Sequence, residues 1–345
     1  MSGRRRIGSQ VRRGVLHAGL PKTGTTAIQW FLLDNAAQLL DEGLCYPRTG
    51  RADPRPGHHN VPMQLRDAVR YDPSAGGIDA AVAEIVASGA RIGIVSAEDI
   101  SFLYDRPGAL ERLRDAFERA RLQPHVVLYV RDHRRYVVSV FVEAVKLGFF
   151  QPFPEYVDAT VADGEITFGT LRFPLAFRPV IDAFVAVFGA AAVTVRGYVE
   201  RNDPAAIVAD LLDAAGADPS FAGRALRSAQ PHNVRISTYE AMRLLWSSTA
   251  AHVGDPEVAR IAEEIATRDP LAASLPCDPL GERESERIGA RFAADARAMT
   301  EQLGVDPATF RTRGGTRKGH AAARALFLEC ERRRAAVLKA ASRGA

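Results

Sequence analysis

Residues 14–32 read GVLHAGLPKTGTTAIQWFL, and this stretch decides the fold. Gly14–Ala18 is a short apolar run typical of a buried strand, and residues 19–24 form a turn with two glycines and a proline. From Thr25 to about Glu42 the apolar residues recur with the 3.6-residue period of a helix. A strand, a glycine turn and a helix in this order predict the first unit of an α/β domain.

The same alternation continues along the chain. Further strands are predicted at Ile92–Ser96, His125–Val130 and Ala192–Arg196, and the chain beyond about residue 204 is predicted to be almost entirely helical. Helices are predicted near 25–42, 61–70, 77–89, 107–120, 134–147, 174–188 and 321–341. Alternating strands and helices favour a mostly parallel sheet covered on both faces. We therefore predict an α/β, P-loop-like three-layer fold with a helical C-terminal extension.

Basic charge is concentrated at the two ends of a chain whose formal net charge is +4. Residues 1–13 contain five arginines and no acid, and residues 311–345 contain ten Lys/Arg against two Glu, so residues 14–310 carry a net charge of −9. A nucleic-acid-binding protein is expected to spread basic charge over a folded face. We therefore expect solvated tails and no nucleic-acid partner, with peripheral membrane contact through the basic termini as the alternative.

The cysteines and the hydropathy exclude several other classes. Cys45, Cys277 and Cys330 lie far apart in sequence, which predicts neither a disulfide framework nor a metal site. No apolar run approaches the roughly 18 residues of a membrane helix. No signal-peptide core follows the N-terminal arginines, so we expect a cytoplasmic protein without an integral membrane segment.

The turn at residues 19–26, GLPKTGTT, has the composition of an anion-binding loop. Backbone amides of such a loop and of the following helix N-terminus bind phosphate groups. Its glycine spacing matches the nucleoside-triphosphate loop G-x-x-x-x-G-K-[ST], but Thr25 occupies the lysine position and Lys22 lies three residues earlier. A kinase needs that lysine and a magnesium ion to neutralise a triphosphate. The position of Lys22 therefore suggests a less charged donor, such as a phosphosulfate; a solvated lysine in an ordinary turn is the alternative.

A second anion-binding pair follows the third predicted strand. Arg131 falls at the carboxyl end of that strand, where ligands bind in open α/β sheets. Ser139 comes eight residues later, on the next predicted helix. Arginine makes a forked, charge-assisted contact with phosphate and serine makes a directional one, so we expect both to reach one phosphate group.

These two elements resemble those of the sulfotransferases that use 3′-phosphoadenosine 5′-phosphosulfate (PAPS), in a bacterial branch of that family. The residues PKTGTT at 21–26 look like the family's 5′-phosphosulfate loop, and Tyr129-Val-Arg131 followed by Ser139 is similar to its 3′-phosphate element. Further shared features are Ile-Gln-x-Phe-Leu at 28–32, Tyr-Pro at 46–47, His-His at 58–59, Ser-x-Glu at 96–98 and Val-Lys-x-Gly at 145–148. The resemblance covers about residues 14–200 well and the helical remainder loosely.

The resemblance implies transfer of a sulfuryl group from PAPS, without a metal, to a hydroxyl acceptor. Lys22 is then expected to contact the bridging oxygen of the donor, and Arg131 and Ser139 the 3′-phosphate that distinguishes PAPS from ATP. The residues expected to bind the donor are Lys22, Thr23, Gly24, Thr25, Thr26, Arg131 and Ser139. In cytosolic members an Arg-Lys-Gly also binds the 3′-phosphate; Arg317-Lys318-Gly319 repeats those letters without the surrounding pattern.

Lys22, Glu98 and His59 are the predicted catalytic residues, and the last two compete for the role of general base. Glu98 follows a predicted strand at the carboxyl edge of the sheet and ranks first; capping a helix or pairing with an arginine is its alternative. His59, or its neighbour His58, lies in a polar loop and ranks second, because neutral imidazole is a suitable base near pH 7. A surface histidine or an acceptor contact is the alternative for His59, and His17 is expected to be a packed residue.

The acceptor is predicted to be a carbohydrate or polysaccharide hydroxyl. Residues 47–59 are rich in Arg and His, and residues 148–172 are predicted to be irregular and aromatic, which fits an open polar cleft. A lipid or natural-product alcohol remains open. The other functional hypotheses are a P-loop kinase or phosphotransferase, against which the missing G-K-[ST] lysine counts, a catalytically silent nucleotide-binding module, and a basic adaptor.

The predicted organisation is one large domain with appended ends. Residues 1–13 form a basic disordered leader, 14–200 the PAPS-binding α/β core, 201–310 a helical part of the same domain, and 311–345 a basic tail with an amphipathic helix. A chain of 345 residues is long enough for this arrangement.

Overall fold

The computed structural model describes residues 12–51, 55–66, 69–148, 151–168, 171–198, 204–225, 236–310 and 318–344. The chain divides into two compact units. The first unit contains Met1–Arg131, Phe177–Asn233 and Met299–Thr309, and the second contains Asp132–Ala176, Val234–Ala298 and Phe310–Ala345. Most of the predicted leader lies outside the described residues; Arg13, its last residue, is part of the first strand. The predicted boundaries at residues 200 and 310 stay predictions.

The secondary structure alternates in the first unit and is mainly helical in the second. The strands are β1 Arg13–His17, β2 Leu44–Cys45, β3 Ile92–Ser96, β4 Gln123–Val130, β5 Glu165–Phe168, β6 Leu171–Pro174 and β7 Val193–Gly197. The helices are α1 Thr25–Asp34, α2 Ala36–Asp41, α3 Asn60–Leu65, α4 Ile78–Ala87, α5 Pro107–Arg119, α6 His133–Lys146, α7 Phe153–Asp163, α8 Arg178–Phe188, α9 Pro204–Ala215, α10 Ser220–Ala225, α11 Thr238–Val253, α12 Ile261–Ala266, α13 Pro270–Ser274, α14 Glu282–Arg291, α15 Ala293–Leu303 and α16 Lys318–Gly344.

The first unit contains a five-stranded sheet in the order β2-β3-β1-β4-β7. Every neighbouring pair of these described strands is parallel. The predicted α/β class with a mostly parallel sheet is confirmed, and the strand order, which the sequence pattern left open, places β1 in the middle. Strands buried on both faces explain why β1 and β3 appear in the sequence as short continuous apolar runs.

Helices pack on both faces of this sheet. On one face, Val15 and Ile94 pack in one apolar cluster with Ile28 of α1 and Leu211 of α9. On the other face, a Cβ built on Gly14 would lie 2.0 Å from the Phe117 ring of α5, so only glycine allows that helix to approach β1 so closely. Helix, sheet and helix therefore form the three predicted layers.

The predicted helix from Thr25 to about Glu42 is interrupted at Asn35. The Asn35 side chain donates a hydrogen bond of 2.8 Å to the carbonyl of Phe31 and so satisfies a C-terminal backbone group of α1. Asn35 also has a non-helical backbone, with φ −110° and ψ 17°. The helical period continues through α2, which is why the sequence pattern alone predicts a single element.

The prediction of an irregular segment at 148–172 is wrong for most of its length. Residues 153–163 form α7, and β5 pairs with β6 as an antiparallel hairpin. The buried side chains of α7 recur at helical spacing, at Phe153, Tyr156, Val157 and Thr160. Gly164 then ends the helix with a left-handed φ of 74°. Two of the aromatic residues of this segment, Phe153 and Tyr156, thus belong to the buried face of a helix.

The C-terminal helix is part of the second unit. It was predicted near 321–341 and extends over Lys318–Gly344. Cys330 of α16 accepts a hydrogen bond from the Trp246 indole N–H at 3.1 Å, and Arg334 donates one of 2.8 Å to the Thr249 hydroxyl. Arg317 lies outside the described residues, as do the side chains of the two residues after it, so the proposed Arg-Lys-Gly element stays a prediction. Within the described part of the chain, we find no helix with the length and apolarity needed to cross a membrane.

Candidate functional site

Candidate residues follow four strand ends along one edge of the sheet of the first unit. Glu98 follows β3, Lys22 follows β1, Arg131 follows β4 and Tyr198 follows β7. Because the strands are parallel and in the order β3-β1-β4-β7, these ends lie side by side in that order. This is the edge where open parallel sheets bind ligands. The sequence predicted three of these positions, and it missed Tyr198, although that residue follows a predicted strand.

The glycine loop has the backbone of an anion site. Gly24 is the N-cap of α1 with a left-handed φ of 84°, and Lys22 is left-handed as well, with φ 67°. A non-glycine residue rarely adopts this conformation, and when it does the position is often functional. The buried Thr23 hydroxyl donates to the Leu20 carbonyl at 2.6 Å and closes the turn. Loop amides and the first turn of a ten-residue helix are thus brought together, as phosphate binding requires.

Three side-chain polar atoms surround one point of this loop. A Cβ built on Gly19 would lie 2.9 Å from His17 Nε2, 3.0 Å from Thr25 Oγ1 and 3.4 Å from Thr23 Oγ1. Thr25 is only 2% exposed, and neither its hydroxyl nor His17 Nε2 has a hydrogen-bond partner among the described residues. A buried hydroxyl of this kind fits a phosphate oxygen, because burying it without a partner costs about 1–3 kcal/mol.

Arg131 connects the end of β4 to the glycine loop. It is 6% exposed, and its Nη1 donates a hydrogen bond of 2.7 Å to the carbonyl of Lys22. Its guanidinium carbon lies 5.2 Å from the centre of the Tyr198 ring, a cation–π distance. Ser139 lies in α6, which belongs to the second unit, and its hydroxyl donates to the Arg135 carbonyl at 2.8 Å. The expected pairing of Ser139 with Arg131 on one phosphate stays a prediction.

Three motifs that are far apart in sequence meet in one buried network. Ser96 N–H donates to His58 Nδ1 at 3.1 Å, so the ring hydrogen of His58 is on Nε2, which donates to the Pro47 carbonyl at 3.0 Å. The ring of Tyr46 lies edge-on to that of His58, at 4.7 Å between centroids. Burial lowers the pKa of His58 to about 3, so this histidine is neutral and structural. It is therefore a poor candidate for the base.

His59 has a different environment from that of its neighbour. Its Nδ1 lies 3.0 Å from Asp99 Oδ2, and its side chain is 12% exposed. Burial pulls the pKa of His59 down, but the hydrogen bond and charge of Asp99, together with the charge of Glu98, outweigh it, so the pKa lies above its ordinary value. With Nδ1 bound to a carboxylate, Nε2 remains available for a proton. Asp99 was not among the residues predicted from sequence, although this aspartate directly follows Glu98.

Glu98 begins the short 3-10 helix Glu98–Leu103, whose N-cap is Ala97. It is half-buried, and its carbonyl accepts a hydrogen bond of 2.7 Å from the Ser101 hydroxyl. Its charge contributes to the raised pKa of His59, so the two candidate bases are neighbours. The structure thus brings together the residues between which the sequence could not decide.

Comparison with known proteins adds little to this geometry. No family model matches the chain, and no curated protein matches it. A solved structure that does match is that of a sulfotransferase from Alicyclobacillus acidocaldarius, with 16% sequence identity and a TM-score of 0.43. The match covers 87% of this chain and 99% of that one. The identity and the TM-score are both too low for this similarity to indicate a function.

Proposed function

We propose that this chain is a PAPS-dependent sulfotransferase that transfers a sulfuryl group to a hydroxyl acceptor. The supporting observation is the order of groups along one sheet edge. The glycine loop with Lys22 follows the central strand β1, and Arg131 follows β4 on one side of it. On the other side, β3 is followed by Glu98 and then by Asp99, which pairs with His59. A donor phosphate, a second phosphate and an acceptor proton each have a candidate partner in this row.

The donor half of the site favours a nucleotide with separate 5′- and 3′-phosphate groups. The loop amides and the Thr25 hydroxyl would bind the 5′-phosphate, and Lys22 would neutralise the bridging oxygen. Arg131, one strand further along, would bind the 3′-phosphate. A triphosphate donor instead needs a lysine after the second glycine, where this chain has Thr25.

For the acceptor half we propose His59 as the general base, with Asp99 as its positioning residue. His59 Nε2 removes the proton of the acceptor hydroxyl while the hydroxyl oxygen attacks sulfur. The bond from sulfur to the bridging oxygen breaks, and its electron pair passes to the 5′-phosphate beside Lys22. Asp99 then stabilises the imidazolium, which is the role of the carboxylate in other histidine–carboxylate pairs. Glu98, ranked first from sequence, would act through its charge on His59.

A carbohydrate hydroxyl is the proposed acceptor class. The segment that leads to His59 contains Arg48, Arg51 and Arg55, of which Arg48 and Arg55 are exposed. The guanidinium of Arg51 lies 5.4 Å from the centre of the Tyr46 ring. The positive charge of Arg55 opposes the raised pKa of His59. An arginine close to the proposed base, and two more in the segment that leads to it, suit a polar acceptor that carries anionic groups.

Calorimetric titration with 3′-phosphoadenosine 5′-phosphate (PAP) tests the donor assignment. We expect PAP to bind more tightly than AMP or Mg-ATP. Arg131→Gln should weaken PAP binding about tenfold to hundredfold, which is the effect of losing one charge-assisted hydrogen bond, and should affect AMP less. Arg119→Gln, on the exposed face of α5, is the control and should change nothing. Tighter binding of Mg-ATP than of PAP would refute the proposal in favour of the phosphotransferase hypothesis.

Gly24→Ala should weaken PAP binding more than tenfold. The left-handed backbone costs an alanine about 1–2 kcal/mol, and the new Cβ would lie 2.7 Å from Ile207 Cδ1 and 2.9 Å from the Tyr198 ring. Gly89→Ala is the matched control, because Gly89 has φ 72° and nothing within 4 Å of its added Cβ. It introduces the same backbone strain without the contacts. Equal PAP affinity in both variants would show that the Gly24 loop does not bind the donor.

A further inference from the structure

The turn directly before the proposed base is fixed by hydrogen bonds at both of its ends. The hydroxyl of Tyr46, which follows β2, donates to the Pro56 carbonyl at 2.7 Å. The His58 N–H donates at 2.7 Å to the carbonyl of Ser96, the last residue of β3. Two neighbouring strands thus hold the ends of the turn, and the residue between them, Gly57, has a different support.

Gly57 lies against a side chain of α1, the helix that begins at the glycine loop. A Cβ built on Gly57 would lie 2.6 Å from Cδ, 2.6 Å from Nε2 and 2.7 Å from Oε1 of Gln29. Three nearly equal distances mean that the carboxamide lies face-on and fills the space that a side chain at position 57 would need. Gln29 is only 3% exposed, so its carboxamide is enclosed. The backbone of Gly57 is not left-handed, so this close approach is the reason for glycine here.

The contact between Gln29 and Gly57 joins the two halves of the proposed site. Gln29 lies one helical turn after Thr25 and on the same face of α1, about 6 Å along the helix axis. Two residues beyond Gly57 is His59, whose Nδ1 lies 3.0 Å from Asp99 Oδ2. One rigid turn of helix and one packed contact therefore connect the glycine loop to the segment that contains the proposed base.

Stability does not explain why residue 29 is a glutamine. Its Nε2 is buried and has no hydrogen-bond partner among the described residues. Burying an amide donor without a partner is unfavourable, and an apolar side chain of similar volume would avoid that cost. A polar group kept in such a place is expected at functional positions. The feature of Gln29 that the structure uses is the flat carboxamide, which packs closely against Gly57.

We propose that Gln29 is a positioning residue for the base: by packing against Gly57, its carboxamide sets the place of His59 relative to Asp99 and to the glycine loop. This inference rests on the proposed function, in which His59 is the general base and the loop binds the donor. In-line transfer requires a fixed separation between donor and base, because a misplacement of about 1 Å can lower a rate about 10²-fold.

The test is an NMR titration of the His59 ring, whose signals are assigned by their loss in His59→Asn, so no acceptor is needed. Burial lowers the pKa of His59, and the contributions of Asp99 and Glu98 more than offset this. The methyl group of Gly57→Ala collides with the carboxamide and should move His59 away from Asp99, so the pKa should fall. Gln29→Ala removes the support and should lower the pKa by a smaller amount. In the double variant the methyl group occupies the vacated space, so the pKa should be higher than in either single variant.

Gly77→Ala is the matched control, because a Cβ at Gly77 would also collide with a glutamine carboxamide, that of Gln64. Gln64 is only partly buried, so its side chain can turn toward solvent, at the cost of its hydrogen bond from the Ile78 N–H. We expect the pKa of His59 to be unchanged in this control. PAP affinity should stay within about threefold of wild type in all these variants, because the loop and Arg131 are intact.

The pattern across the variants decides the inference. A His59 pKa that stays at the wild-type value in either Gly57→Ala or Gln29→Ala would overturn it, as would a double variant with a pKa no higher than that of Gly57→Ala. An equal fall in Gly77→Ala would overturn it too. Each of these results leaves the proposed function in place. If Gly57→Ala does not fold, Gln29→Ala decides alone. A failure of the wild-type protein to bind PAP would overturn the proposed function, and the inference with it.

Discussion

Replacement of Lys22 by methionine should lower kcat for sulfuryl transfer about 10²–10³-fold, the effect of removing one group that stabilises charge in a transition state. The ammonium group is proposed to neutralise the bridging oxygen as the S–O bond breaks, so the loss should appear mainly in kcat. Methionine has nearly the same length and occupies the same left-handed backbone, with φ 67°, so the loop strain is unchanged. The measurement is the initial rate of PAP release from PAPS with an accepted hydroxyl substrate.

PAP affinity separates this role from a merely structural one. The loop amides and Arg131 remain in Lys22→Met, so PAP should bind within about tenfold of wild type. Lys339→Met, on an exposed turn of α16, is the control and should leave both kcat and PAP affinity unchanged. If Lys22→Met loses PAP affinity as strongly as kcat, the lysine binds donor and product alike, and its assignment to the leaving oxygen is wrong.

Replacement of His59 by asparagine should lower kcat about 10²–10⁴-fold, the usual contribution of a positioned general base. Glu98→Gln is the matched comparison, since it removes the charge of the other candidate base while nearly preserving the shape of the side chain. If His59 is the base, Glu98→Gln should reduce kcat only modestly. The reverse order of effects would return the role to Glu98, as ranked from sequence.

The pH profile of Asp99→Asn tests the positioning role. A base acts in its neutral form, so kcat/KM should rise with pH through the pKa of His59. Asp99 and Glu98 raise that pKa, and removing the Asp99 charge and hydrogen bond lowers it, so the rising limb should move to lower pH. The plateau should also fall, because the ring is no longer held in one tautomer. If the rising limb of kcat/KM stays at the same pH in Asp99→Asn, the positioning role of Asp99 is contradicted.

The loop and the arginine of the proposed donor site could be located from sequence because each is local in the chain. The loop at 19–26 contains its own glycines and lysine and directly precedes a helix start, so the geometry of a phosphate-binding turn follows from neighbouring residues. Arg131 was found the same way, as the residue after an apolar strand. The acceptor side was not predictable to the same degree, because His59 and its partner Asp99 are 40 residues apart in sequence.

The amino-acid sequence by itself determined the α/β alternation, the glycine turn at residues 19–24 and the residues that follow each strand, since these depend on local period and backbone preference. Only the tertiary structure decided that Asp99 lies within hydrogen-bond distance of His59, that His58 is a buried neutral residue, and that His17 is hydrogen-bonded to Ser96. Those contacts require β3 to pair with β1, in a register that places Ser96 opposite His17. The order and register of parallel strands come from packing over the whole sheet, and no local pattern in the chain encodes them.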